Sequence, residues 1–265
     1  MGAKNHHKII NDGDFDYLSF GSGEDVLIML PGVGDGFKTA KGMAFFFSVA
    51  YKIFGKHYKV YAISRRNNIP EGFTIADMAE DVNTIMEAEG IESAIVFGVS
   101  QGGMISQELA INHPDKVKKL VLAVTAPKSN AILEEAVTGW LAMADKEDYK
   151  GIMLDCADRS YTGEYLQKAR KLNAIIAAVK PKSFRRFRIL CQSCLAHDAT
   201  ENLSKITCPT FIVGADEDAT LGVEGSKELA EKIPNSELYI YHGYSHGVYE
   251  QAKDFNERIL DWMKK

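Results

Sequence analysis

The sequence predicts an α/β protein: a mostly parallel, eight-stranded sheet with helices on both faces, interrupted by a helical insertion. Three observations carry that expectation. Strand-sized apolar runs alternate with helical stretches along most of the chain. The pentapeptide Gly98-Val99-Ser100-Gln101-Gly102 stands between an apolar run and a helix-like stretch. Residues 127–204 carry no strand pattern at all. Strand, helix, strand repetition favours a parallel sheet covered on both faces.

Two leading strands are expected near Lys8–Ile10 and Asp16–Phe20, joined by a turn at Asp12-Gly13. Val26–Leu30 is a continuous apolar run, as in a strand buried on both faces. Further strands read at Lys59–Ile63, Ser93–Phe97, Lys119–Val124, Thr210–Val213 and Leu238–Tyr241. Helices are expected over Ile75–Glu89, Gly103–Asn112, Gly225–Lys232 and Ala252–Met263. The insertion reads as several amphipathic helices, among them Ile132–Ala144, Leu166–Val179 and Phe184–Ala196. A structureless loop of that length is improbable in a compact domain, so the segment is expected to pack as a lid. The organisation is therefore a core of residues 1–126 and 205–265, with a helical cap over 127–204.

Length and composition restrict the function classes. A chain of 265 residues can bury a large core. Lys+Arg 31 against Asp+Glu 36 gives a formal net charge of -5, which argues against nucleic acid or an anionic membrane as partner. The apolar runs are strand-sized, too short to span a bilayer, and the first residues carry no apolar segment of signal-peptide type. Four cysteines, all in the second half, do not read as a disulfide framework; a reducing cytoplasm is expected.

The chemistry starts at Ser100. A G-x-S-x-G between strand and helix is the setting of a nucleophile elbow, in which a sharp turn thrusts the serine hydroxyl out at the top of the sheet. The flanking glycines are needed where a Cβ would collide with neighbouring backbone, and the next helix aims its positive N-terminal end at the site. A serine hydroxyl needs an adjacent base, and the base an orienting acid. His246, flanked by Gly243 and Gly247 after the last strand, is the candidate base. The acid lies among Asp216, Glu217 and Asp218 after the penultimate strand; Asp218 is favoured and Asp216 is the alternative. Leu30-Pro31-Gly32-Val33-Gly34 follows the third strand, and the amides of Val33 and Gln101 are the candidate oxyanion donors.

Taken together, the pattern from about Gly13 to Trp262 resembles the α/β-hydrolase superfamily in its single-domain, cap-bearing form. The matching pieces are Leu30-Pro31-Gly32, Gly98-Val99-Ser100-Gln101-Gly102-Gly103, Asn112-His113-Pro114-Asp115-Lys116-Val117, the Gly214-x-x-x-Asp218 loop and Gly243-x-x-His246. The resemblance implies an α/β-hydrolase fold and a serine esterase acting through an acyl-enzyme, with no metal or organic cofactor and a small-molecule substrate. Two departures stand out. Pro31-Gly32 replaces the frequent His-Gly, and Asp218 sits one residue beyond the usual position of the acid. The same triad would serve carbon–carbon bond hydrolysis, peptidase, thioesterase or perhydrolase action, and a non-catalytic small-molecule receptor is the reading from another class. Oligomeric state is not readable.

Other residues carry plainer expectations. Trp140, Met143 and Met153 are expected to line an acyl or alcohol pocket. Cys191, Cys194 and His197 make a buried helical stripe more readily than a metal site. Phe45-Phe46-Phe47 is expected in the core or pocket wall. Arg65 and Arg66 follow the fourth strand; local pairing with carboxylates outweighs binding of a substrate carboxylate. His113 and His242 are expected to be structural.

Overall fold

A computed structural model describes residues 2–265. Eight strands form one sheet: β1 (Lys4–Ile10), β2 (Gly13–Phe20), β3 (Val26–Leu30), β4 (Lys59–Ile63), β5 (Ala94–Val99), β6 (Val117–Ala123), β7 (Thr210–Ala215) and β8 (Ser236–Tyr241). Their spatial order is β1-β2-β4-β3-β5-β6-β7-β8. The first two pairings, β1 with β2 and β2 with β4, are antiparallel; all others are parallel.

The central strands read as unbroken apolar runs because both of their faces are buried. In β3, Ile28 and Leu30 join one core cluster while Leu27 and Met29 join the other. Val96 and Phe97 of β5, and Leu120 and Val121 of β6, divide the same way, following the two-residue period of a strand. Helices α1 (Ala44–Ala50), α2 (Lys52–Gly55), α10 (Val248–Gln251) and α11 (Phe255–Met263) contribute to the second cluster. On the first lie α3 (Ile75–Ala88), α4 (Gln101–Asn112) and α9 (Glu224–Lys232). Helix α3 starts in a reciprocal cap: Thr74 Oγ1 accepts from Asp77 N at 3.1 Å, and Asp77 Oδ2 accepts from Thr74 N at 2.8 Å. Such a cap contributes about 0.5–2 kcal/mol.

Between β6 and β7 the chain forms four helices: α5 (Ala131–Asp145), α6 (Tyr149–Ser160), α7 (Gly163–Ile176) and α8 (Arg185–Ala196). Leu133, Val137 and Trp140 of α5 and Phe187, Leu190 and Cys194 of α8 belong to the same buried cluster as Leu30 and Leu122 of the sheet. Helix α7 is different: only Ala169 is buried, and Leu172 and Ile175 are exposed.

Several expectations need correction. β1 runs from Lys4, four residues earlier than read, because Asn5 and His7 are polar and blur the alternation. The stretch Ala252–Met263 is α11 preceded by a separate short α10, with the chain turning at residues 252–254. Helix α6 was not picked out, since Ile152 and Ala157 are its only buried residues. Phe45 and Phe46 are neither core nor pocket wall; both are about two-thirds exposed, at 68% and 64%. Neighbouring residues on a helix point about 100° apart, so a short helix cannot bury a run of three aromatic side chains. Among the described residues no helix is long and apolar enough to cross a membrane.

Candidate active site

β5 ends at Val99 and α4 begins at Gln101, which leaves Ser100 alone to make the turn. Its backbone stands at φ 56°, ψ -123°, a region that non-glycine residues rarely adopt, at a cost of about 1–3 kcal/mol. Neighbouring contacts hold it there. The Ser100 amide donates to Ala123 O at 2.9 Å, and its carbonyl accepts from Thr125 Oγ1 at 2.8 Å and Gly103 N at 2.8 Å. The glycines answer to crowding. A Cβ at Gly98 would stand 2.3 Å from Gly102 O, one at Gly102 2.0 Å from Leu30 O, and one at Gly103 2.6 Å from Thr125 Cβ. Across the turn, a Cβ at Gly32 would lie 3.3 Å from Ser100 Cβ, so β3's loop approaches the serine closely.

His246 lies after β8, and its Nδ1 is 2.9 Å from Asp218 Oδ2. Both side chains are buried, at 8% and 2% exposure. Asp218 also accepts from Thr220 N at 2.8 Å and Leu221 N at 2.9 Å through Oδ1. Burial by itself would raise the Asp218 pKa, but attraction to His246 and these hydrogen bonds outweigh it, and the net direction is downward. The ionised carboxylate can only accept, so the imidazole donates from Nδ1 and leaves Nε2 as its free basic atom. The competing carboxylates are occupied or turned outward. Asp216 accepts from His242 Nδ1 and Gly243 N, each at 2.8 Å, on the surface, and Glu217 is exposed.

Ser100 and His246 line one cavity of about 600 Å³. Val33 borders it from the loop after β3, and Trp140 and Met153 border it from α5 and α6. Met143, expected beside them, does not line it; its side chain packs against the apolar core. Phe37, Phe187, Ala169 and Leu172 form further wall that the sequence did not single out. Val33 opens a 3-10 turn over Val33–Gly36, and Gln101 opens α4. As first residues of helical turns, neither amide has an acceptor within its own helix.

The Gln101 side chain points away from the cavity. Its Nε2 donates to Leu190 O at 2.8 Å, with Ser193 Oγ and Cys194 Sγ each at 3.2 Å, and its Oε1 accepts from Arg65 Nη2 at 3.1 Å. Arg65 Nη2 also donates to Pro31 O. Arg66 makes the local pairs expected of it, with Asp81 and with Asp12 at 3.2 Å. His113 pairs with Glu80 at 2.8 Å.

Burial raises the Cys194 thiol to about 12 and pushes Cys191 well upward, which opposes the thiolate a metal needs. Among the described residues no group of three or more His, Cys, Asp or Glu side chains could hold a metal ion.

The sequence family described as alpha/beta hydrolase fold matches this chain over residues 25–160, which run from β3 through the elbow to the end of α6. The chain belongs to that family. Among curated relatives, a protein of Caulobacter sp. (strain K31) named "Putative carbamate hydrolase RutD" is 28% identical over 197 residues, 72% of each chain. Among solved structures, MGS-M2, an alpha/beta hydrolase enzyme from a Medee basin deep-sea metagenome library, superposes with a TM-score of 0.86 at 21% identity, covering 98% of both chains. The enol-lactonase from Burkholderia xenovorans LB400 gives a TM-score of 0.79 at 20% identity, covering 98% of this chain and 100% of its own. At such identities the structural likeness establishes the fold; hydrolase activity rests on the family and the curated names together.

Proposed function

We propose that this hydrolase cleaves a carboxylic ester or related acyl bond of a small-molecule substrate through a Ser100–His246–Asp218 triad and an acyl-enzyme. One observation carries the reading. A serine held at positive φ on a strand-to-helix turn shares a cavity with a histidine whose far nitrogen is bonded to a buried carboxylate. His246 Nε2 takes the proton as Ser100 Oγ attacks the acyl carbon, then returns it to the leaving group. Asp218 holds the ring in the tautomer that leaves Nε2 basic and stabilises the imidazolium that forms. The amides of Val33 and Gln101 receive the oxyanion of the tetrahedral intermediate. Water, deprotonated by the same histidine, releases the acyl group and restores the serine. No metal or organic cofactor enters these steps.

The segment 127–204 serves as the cap in this reading, because α5, α6 and α7 supply the outer wall of the cavity above the serine. A mostly apolar wall including Trp140, Met153 and Leu172 suits an acyl or alcohol chain of short to medium length. A cavity of about 600 Å³ is larger than a simple carbamate group fills. The carbamate activity named for the curated relatives therefore applies here as the same acyl chemistry on a substrate with an apolar body.

A fluorophosphonate probe tests the reading directly. Stoichiometric labelling at Ser100, abolished in Ser100→Ala, is the expected result, together with turnover of short p-nitrophenyl esters. A folded wild-type protein that neither labels nor turns over any ester of the panel would favour a binding role for the pocket instead.

A further inference from the structure

We propose that Arg65 is a positioning residue of the oxyanion hole, fixing both of its donor loops with one guanidinium. The inference rests on the serine-hydrolase reading above and extends it to a residue outside the triad and the cavity wall.

A single nitrogen, Nη2, donates to Pro31 O and to Gln101 Oε1. Pro31 lies two residues before Val33, and Gln101 is itself the second donor. The bridge therefore spans the two loops that must keep a fixed separation for their amides to converge on one oxygen. Those loops already touch: a Cβ on Gly102 would fall 2.7 Å from Pro31 O. The Arg65 backbone is anchored in turn, its amide donating to Asp35 Oδ2 at 3.0 Å, within the turn that begins at Val33.

The energetics of Arg65 set it apart from an ordinary structural arginine. The residue is 4% exposed, and among the described residues its Nε and Nη1 find no acceptor and no carboxylate pairs with the guanidinium. Asp35, the nearby candidate, is engaged by the Arg65 amide and by Arg186 Nη2 at 3.2 Å. A buried, unpaired cation is costly, and an apolar side chain would fill the space at lower cost. Arg66, one residue on, is by contrast held by Asp81 and Asp12 in the usual manner. What Arg65 provides that an apolar side chain cannot is the two-acceptor bridge, together with a positive charge behind the loops that receive a forming oxyanion.

Through Gln101 the same bridge reaches α8, because the other end of that side chain donates to Leu190 O. A shift of α8 would thus be felt at the donor loop, so one chain of hydrogen bonds links the helical segment to the site.

The experiment compares Arg65→Met, Arg65→Lys and Gln101→Met with wild type, using p-nitrophenyl acetate and a trifluoromethyl ketone that forms an oxyanionic adduct with the serine. Rates are normalised to the fraction labelled by fluorophosphonate, and thermal midpoints report folding. Arg65→Met is expected to lose about 10–100-fold in kcat with KM within about threefold, and affinity for the ketone falls in parallel. Arg65→Lys keeps the charge, but its shorter side chain does not bring its nitrogen to the position of Nη2, and it recovers only part of the loss. Gln101→Met keeps the backbone donor but removes the acceptor, and loses about tenfold in kcat. A folded, labelled Arg65→Met with kcat and ketone affinity within about threefold of wild type overturns the proposal. If that variant does not fold, unchanged kcat in both Arg65→Lys and Gln101→Met overturns it equally. Absence of labelling in wild type would sink the triad reading and this proposal together, whereas a labelled, active wild type with indifferent variants sinks this proposal alone.

Discussion

In the proposed mechanism Asp218 acts only through the ring of His246. Its carboxylate is buried, accepts from Thr220 N, Leu221 N and the His246 Nδ1–H, and so stays ionised below the usual carboxylate range despite the desolvation. Asp218→Asn keeps the shape but can offer the ring an N–H, which favours the tautomer with its proton on Nε2, the wrong nitrogen. Turnover is expected to fall by about 10⁴-fold with little change in KM, measured on a short ester at neutral pH. Asp216→Asn, on an exposed carboxylate bonded to His242, should stay within about threefold of wild type. The reverse ranking would move the acid to Asp216. Ser100 and His246 stood out in the sequence because a strained turn and a loop after the last strand leave local marks in glycine placement. The sequence favours Asp218 but keeps Asp216 open, since both flank the same turn and only the distances to two different histidines distinguish them. Arg65 left no mark of its role: its acceptors lie 34 and 36 residues away in the chain.

His197 lies buried just beyond the end of α8, and burial decides that imidazole's state. Its Nδ1 is 3.6 Å from Glu108 Oε1 on α4, too long for a good hydrogen bond, and Nε2 has no partner among the described residues. Desolvation lowers its pKa from 6.5 to about 4, only partly opposed by Asp198. The sign follows from linkage. The unfolded chain takes up a proton near pH 6.5 while the folded chain resists until about pH 4, so stability contributed by neutral His197 is full above pH 6.5 and drains away as pH falls toward 4. The loss is on the order of 3 kcal/mol across that window. Glu108 opposes it, because burial raises its pKa and the folded state then gains on acidification. Comparing His197→Phe with wild type isolates the histidine: urea unfolding at pH 7.5 and pH 4.5 should show a smaller acid loss in the variant. An equal loss in both proteins would mean that His197 is already charged or solvated when folded. The elements themselves were largely legible, since a two-residue alternation and a helical stripe are written in consecutive residues. Which stripe faces the cavity was not. Trp140 and Met143 sit three apart on α5, yet only Trp140 reaches the wall.

At the scale of the molecule, the proposed reacting groups stand at strand ends of the sheet, while helices between β6 and β7 border the cavity around them. Ser100 and His246 come from loops at the ends of β5 and β8, whereas Trp140, Met153, Ala169 and Leu172 come from α5, α6 and α7. Chemistry and selectivity are therefore separable by substitution. Ala169 is suited to the test, being the buried residue of a helix whose outer face is exposed, with its side chain at the cavity wall. In Ala169→Phe the added ring must either enter the cavity or push α7 outward, and overpacking of this kind costs about 1–3 kcal/mol. If the cavity holds the acyl chain, that cost falls on substrates long enough to reach α7. Acetyl and propionyl p-nitrophenyl esters should then keep kcat/KM within about threefold of wild type, while octanoyl esters lose at least about tenfold. A uniform loss across chain lengths would mean that α7 supports the catalytic loops instead of measuring the substrate. No change at any length would mean that the chain leaves the serine by another route, on the side of Phe37 and Phe187.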